Sequence, residues 1–80
     1  MNNKDKYNKA FINTFSIDKK DLSKNMSFNS IPEWDSIGHM SLVAELEDKF
    51  DIMMEMDDII EMSSYEKGTE ILEKKYNIKF

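Results

Sequence analysis

Hydrophobic residues recur at helical spacing in some stretches of this chain and lose all period in others. Tyr7, Ala10, Phe11, Thr14 and Phe15 fall at i, i+3, i+4, i+7 and i+8, one face of a helix, with Lys4, Lys6 and Lys9 largely off it. This predicts a helix over Lys4–Phe15 with Asn3 as its cap. Between Ser16 and Asp35 the hydrophobes Ile17, Leu22, Met26, Phe28, Ile31 and Trp34 share no period, and Pro32 turns Ile31 away from helix. So long an unpatterned stretch is unusual in a compact domain. Its scattered hydrophobes predict a loop pinned onto the core, crossing between helices. The second helix is the clearest, with Ser36 as N-cap and Ile37–Phe50 as body. His39, Leu42, Val43, Leu46 and Phe50 share its core sector, whereas Ile37, Ser41, Ala44, Glu45 and Asp48 lie opposite. Phe50, Ile52, Met54 and Met56 alternate with other residues as a short extended link. Asp57 then caps a short helix to Met62 that buries Ile59 or Ile60. Ser63-Ser64-Tyr65-Glu66 fits a capping box and opens a last helix to Lys75, offering Tyr65, Ile71, Leu72 and Tyr76 to the core. Gly68 weakens that helix by about 1 kcal/mol relative to alanine.

The expected fold is therefore all-α: a four-helix bundle with three longer helices, one short helix and a long loop after the first, in a single domain over residues 1–80. Two glycines, one proline and abundant lysine, glutamate, leucine and methionine agree with helices rather than a sheet. Hydrophobic residues make up 40% of the 80, enough for one modest core and not for a buried catalytic cleft. A chain of this size buries only about 60% of its unfolded surface, so its stability is marginal. There is no cysteine, hence no disulfide, thiolate nucleophile or zinc finger, and the single histidine, His39, excludes a histidine-rich metal site. The polar start MNNKDK, with no apolar run of 18 residues after it, reads as a cytoplasmic chain with neither secretion signal nor membrane contact.

Charge sharpens the picture. All 11 basic residues are lysines and 16 residues are acidic, a net charge of −5. Met1–Pro32 carries six lysines and three aspartates, Glu33–Glu66 eleven acids against Lys49 alone, and Lys67–Phe80 four lysines and two glutamates. The acidity is thus one continuous segment. Its field attracts basic surfaces and repels nucleic acid; taken alone, such a run reads as a solvated face.

No catalytic constellation emerges. Ser36, His39 and Asp35 are nearly adjacent in one segment, with no third group placed to orient the imidazole and no oxyanion hole. The many carboxylates lie on exposed helices, where nothing tunes them for acid–base work. Asp57-Asp58 lacks the residue order of an EF-hand loop, so no metal site is expected. A serine at the start of a helix is different: its hydroxyl is exposed, and the free N–H groups and positive dipole end there suit a phosphate. As a bare feature it is an ordinary cap.

The surrounding residues go further. Asp35-Ser36-Ile37, the run WDSIGHMSLVAELEDKFDI, the short acidic helix and SYEKGTEILEKK together resemble the acyl carrier protein family over essentially the whole chain. That resemblance implies helix–long loop–helix–short helix–helix architecture of acyl-carrier type. It implies 4′-phosphopantetheine, supplied from coenzyme A by a separate phosphopantetheinyl transferase and attached to Ser36, with acyl or aminoacyl groups carried as thioesters at its end. Asp35 would help present the serine. Ile37 would be an apolar docking knob, and Glu45, Glu47, Asp48 and Asp58 the acidic surface for loading and acyl-transfer enzymes with basic docking faces. The chain would be a monomer and not itself an enzyme. Gly38, Ser41 and Ala44 depart from the acidic or bulky residues common on this helix in fatty-acid carriers, which suggests a stand-alone carrier of a specialised pathway. Two positions stay open. His39 is either a half-buried residue satisfied by the long loop or a polar group touching the arm. Met40, Met53, Met54, Met56 and Met62 are either core filler or an adaptable pocket for an acyl chain. The competing function is an acidic helical adaptor that binds a basic partner with no prosthetic group.

Overall fold

In the computed structural model, which describes residues 2–23 and 25–80, four α-helices follow one another: α1 (Asn3–Phe15), α2 (Ser36–Phe50), α3 (Met56–Glu61) and α4 (Tyr65–Tyr76). A short 3₁₀ turn over Lys19–Asp21 interrupts the loop after α1. No strand forms among the described residues, and an isolated antiparallel bridge pairs Ser27 with Ser64.

Helices α1, α2 and α4 each start one residue from where the sequence places them, and in each a side chain fixes the start. The capping side chain must accept from the N–H three residues on. Asn2, not Asn3, does this for α1 through Asp5. Asp35, not Ser36, caps α2 through the Gly38 N–H at 2.8 Å, and Ser36 becomes the first helical residue. Ser64, not Ser63, caps α4 through Lys67. The box from Ser63 to Glu66 does not form, because the Ser63 carbonyl accepts from Phe28 N–H at 2.8 Å and holds the loop instead. Helix α3 begins before Asp57, and its N-cap Glu55 makes no side-chain cap.

Three helix ends share one device. Phe15-Ser16-Ile17, Phe50-Asp51-Ile52 and Tyr76-Asn77-Ile78 each place the middle, polar residue in the left-handed region, at φ of 54°, 52° and 57°. The isoleucine that follows sends its N–H back into the helix, to Ile12, Glu47 and Leu72 carbonyls respectively. Its side chain returns toward the core, buried for Ile78 and packed at the core margin for Ile17 and Ile52. A chain with two glycines thus stops its helices with serine, aspartate and asparagine.

The core is aromatic. Tyr7, Ala10, Phe11 and Phe15 of α1 are buried as the spacing predicts, with Leu42, Val43 and Leu46 of α2 and Ile71 and Leu72 of α4. The loop is pinned onto them: Met26 and Trp34 are buried, and Ile17, Leu22 and Ile31 pack against the cluster. Trp34 sits edge-on to Phe11 at 5.4 Å and 5.5 Å from the Phe15 ring. On α3 it is Ile59 that is buried, and Ile60 that is exposed.

Both glycines sit where a side chain has no room. At Gly38 a Cβ would overlap the Glu33 carbonyl oxygen, since the loop crosses the first turn of α2 there. Gly38 therefore answers a packing need within the fold, beyond any effect on the outer face of α2. At Gly68 a Cβ would overlap the Tyr7 hydroxyl, which donates to the Tyr65 carbonyl at 2.7 Å. Burial, with Tyr65 adding to it, raises the Tyr7 pKa well above 10 and keeps that donor neutral. Gly68→Ala should destabilise the fold by about 1–3 kcal/mol from overpacking, although alanine is the better helix former by about 1 kcal/mol. Urea unfolding monitored by circular dichroism measures the sign.

Candidate functional site

Ser36 opens α2 with its side chain exposed, and among the described residues its hydroxyl has no hydrogen-bond partner. The preceding Asp35 is committed to the Gly38 N–H, where its negative charge also meets the positive end of the helix. His39 stands one turn beyond, half-buried, with both ring nitrogens occupied. The Trp34 indole N–H donates to Nδ1 at 3.0 Å, which puts the ring proton on Nε2, 2.7 Å from the Ile59 carbonyl. The imidazole lies nearly parallel to the Trp34 ring, planes 14° apart, and meets Phe28 edge-on. Ser36, His39 and Asp35 therefore share a turn without forming a proton relay. Of the two readings left open for His39, the hydrogen bonds to Trp34 of the loop and Ile59 of α3 accord with the first.

Beside Ser36 lies an apolar groove of about 340 Å³ between α2 and α3. Ser36, His39 and Met40 line it from α2 and Met56, Ile59 and Ile60 from α3, with Phe28, Met62 and Ser63 completing it. The methionine cluster divides accordingly. Met54 and Met62 are buried core filler, whereas Met40, Met53 and Met56 are exposed, and of these Met40 and Met56 border the groove.

The expected docking residues also divide. Ile37 is 80% exposed, an isolated apolar side chain next to Ser36. Asp48 is exposed. Glu45 lies 3.8 Å from Lys49, an i,i+4 pair on the helix surface. Glu47 is half-buried and accepts from the Met54 N–H at 2.9 Å, fastening the link after α2.

Asp58 does not belong to an acidic surface. It is 1% exposed, bonded at 2.7 Å to both Lys75 Nζ and the Tyr76 hydroxyl, and that hydroxyl accepts from the Glu55 N–H. The reason is helical register: Asp58 precedes the buried Met62 by four residues, which puts it on the inner face of α3. Exposed acids on that helix are Asp57 and Glu61. Hydrogen bonds from Lys75 and then Tyr76 hold the Asp58 pKa below its ordinary value, against the opposing effect of burial. The same contact raises the Lys75 pKa.

Sequence reasoning missed Phe28 and Ile60 as groove residues. The signal was present for Ile60, since Met56 and Ile60 are four apart and share one side of α3. No helix is long and apolar enough to cross a membrane among the described residues. No known protein family, curated protein or solved structure matches the chain.

Two predictions follow from the polar contacts. His39→Leu strands the buried Trp34 N–H and the Ile59 carbonyl, and should cost about 1–3 kcal/mol by denaturant unfolding. For Asp58, the folded pKa lies below the unfolded value, so its contribution is complete above about pH 4 and lost as pH falls through the folded value. Lys75, shifted upward, contributes below about pH 10 and loses that contribution as pH rises through its folded value. Thermal unfolding as a function of pH should show that acid limb, and Asp58→Asn should flatten it.

Proposed function

We propose that this chain is a carrier protein of acyl-carrier type, holding acyl or aminoacyl groups as thioesters on a 4′-phosphopantetheine arm attached to Ser36. One observation carries the reading: an exposed serine hydroxyl opens α2 with no base free beside it, at the edge of an apolar groove. Both nitrogens of His39 are engaged, so the serine depends on a separate phosphopantetheinyl transferase, with coenzyme A as donor. The residues fit the group. The first turn of α2 suits a phosphodiester on Ser36, and His39, Met40, Met56 and Ile60 offer a mostly apolar wall beside it. When bound, the arm supplies the thiol that forms the thioester. The chain supplies attachment and address.

On this reading Ile37 and Asp48 meet the transferase and the loading enzymes, with Glu45 available once Lys49 swings away. Glu47 serves first to fasten the chain after α2. The four helices and the long loop after α1 accord with the acyl-carrier arrangement, and the protein acts through partner enzymes as a monomer in the cytoplasm. The outer face of α2, with Ser41 and Ala44 exposed, favours partners of a specialised pathway.

Incubation with coenzyme A and a promiscuous phosphopantetheinyl transferase should add one phosphopantetheinyl group by intact mass, and Ser36→Ala should abolish it. Absence of any addition with several transferases would support the adaptor reading. Asp48→Lys or Glu45→Lys should slow the transfer roughly two- to fivefold, consistent with about 0–1 kcal/mol per exposed pair, and the effect should fade with added salt. Ile37→Ala should slow it with less dependence on salt, and reversal at Lys4 should leave it unchanged.

A further inference from the structure

Burial separates the described methionines into two groups. Met26, Met54 and Met62 are buried, whereas Met40, Met53 and Met56 are 52%, 84% and 65% exposed. Two of the exposed thioethers border the same groove from facing helices: Met40, one turn after Ser36 on α2, and Met56, one turn before Ile60 on α3. The chain contains no cysteine, so thioethers are its only oxidisable sulfur. Oxidation turns a flexible apolar side chain into a polar one; the rest of the groove lining is Phe28, Ile59 and Ile60 with Ser36, His39 and Ser63, and a third thioether, Met62, that is fully buried.

We propose that Met40 and Met56 form a reversible oxidation site that converts the groove between α2 and α3 from apolar to polar. A peroxide is the oxidant. The sulfur lone pair attacks one peroxide oxygen, an S–O bond forms as the O–O bond breaks, and with hydrogen peroxide the second oxygen leaves as water. Sulfur loses two electrons and the peroxide gains them. Methionine sulfoxide reductase reverses the step with a dithiol, which becomes a disulfide while the sulfoxide oxygen leaves as water. Because Met40 and Met56 are exposed, the change does not require opening the core, where Met62 is buried. The proposal rests on the groove and on exposure, independently of what Ser36 carries.

The test uses the full chain, hydrogen peroxide and the neutral dye Nile red. Peptide mass spectrometry over time should show Met40, Met53 and Met56 oxidised well before Met26, Met54 and Met62. Nile red should bind the untreated protein and bind about tenfold more weakly after oxidation, equivalent to about 1.4 kcal/mol. Methionine sulfoxide reductase with dithiothreitol should restore binding. A Met40→Leu, Met56→Leu double variant should bind the dye and lose no affinity on peroxide treatment, while Met53→Leu should behave like the native chain. The proposal is overturned if oxidation follows no order of exposure, or if untreated protein fails to bind the dye. It is equally overturned if oxidation leaves affinity unchanged or abolishes the helical circular-dichroism signal.

Discussion

The indole N–H of Trp34 has to be satisfied inside the protein, and the way it is satisfied organises everything around Ser36. Trp34 is completely buried, and a buried donor without an acceptor costs about 1–3 kcal/mol. His39 Nδ1 accepts it, which fixes the tautomer and directs Nε2–H at the Ile59 carbonyl. Ile59 lies near the end of a six-residue helix, where carbonyls have no partner within the helix. One imidazole therefore joins the end of the long loop, the first turn of α2 and α3. The Phe11 and Phe15 rings hold the indole from α1. Asp35 and Ser36 come directly after Trp34 in the chain, so the start of α2 is set by this contact.

Helix α3 shows the same economy. Six residues are too few to form an independent helix in water, and Ile59 and Met62 supply a small apolar face. Two polar clamps complete the attachment: His39 from α2, and the Asp58 carboxylate with Lys75 and Tyr76 of α4. Such contacts are directional, so they fix where α3 sits as well as that it sits there. The groove beside Ser36 has α3 as one wall, and its width depends on these bonds.

Most of the fold was legible because helical periodicity reports the buried face directly. Tyr7, Phe11 and Phe15, or Leu42, Val43 and Leu46, need no tertiary knowledge to be found. The aromatic–polar–isoleucine triplets that end three helices were equally present in the sequence, and they stand out only when the left-handed backbone of Ser16, Asp51 and Asn77 is seen. The caps of α1, α2 and α4 slipped by one residue because neighbouring side chains can each accept a hydrogen bond, and at α4 the loop pairs with Ser63 while Ser64 caps. The candidate site was less legible. Periodicity put Ser36 at the start of α2 and Ile37 on its outer side, and both are exposed there, but Asp58 was misplaced, because one charged residue inside a run of acids gives no sign of its partner. Lys75 and Tyr76, which bind it, lie seventeen and eighteen residues away. The groove was legible only as one alternative for the methionines, of which Met40, Met56 and Met62 line it, since it exists only where α2 and α3 face each other.

The acidic segment thus does several different things. Asp58 is consumed by the core, Glu47 by a backbone N–H, Asp35 by a helix cap, and Glu45 is partly offset by Lys49. The remaining outward field comes from residues such as Asp48, Asp57 and Glu61. The same two helices expose Ile37, Met40, Met56 and Ile60. Exposed charge of one sign accelerates encounter with an oppositely charged partner, and contributes little once the pair is formed. Exposed apolar side chains act in the other direction, since their burial slows dissociation. On the carrier reading proposed above, a face that combines both would recruit basic partners through charge and hold them through a small apolar area. Such association would suit a protein that must visit several partners in turn, and it would require the apolar residues to remain uncovered between visits.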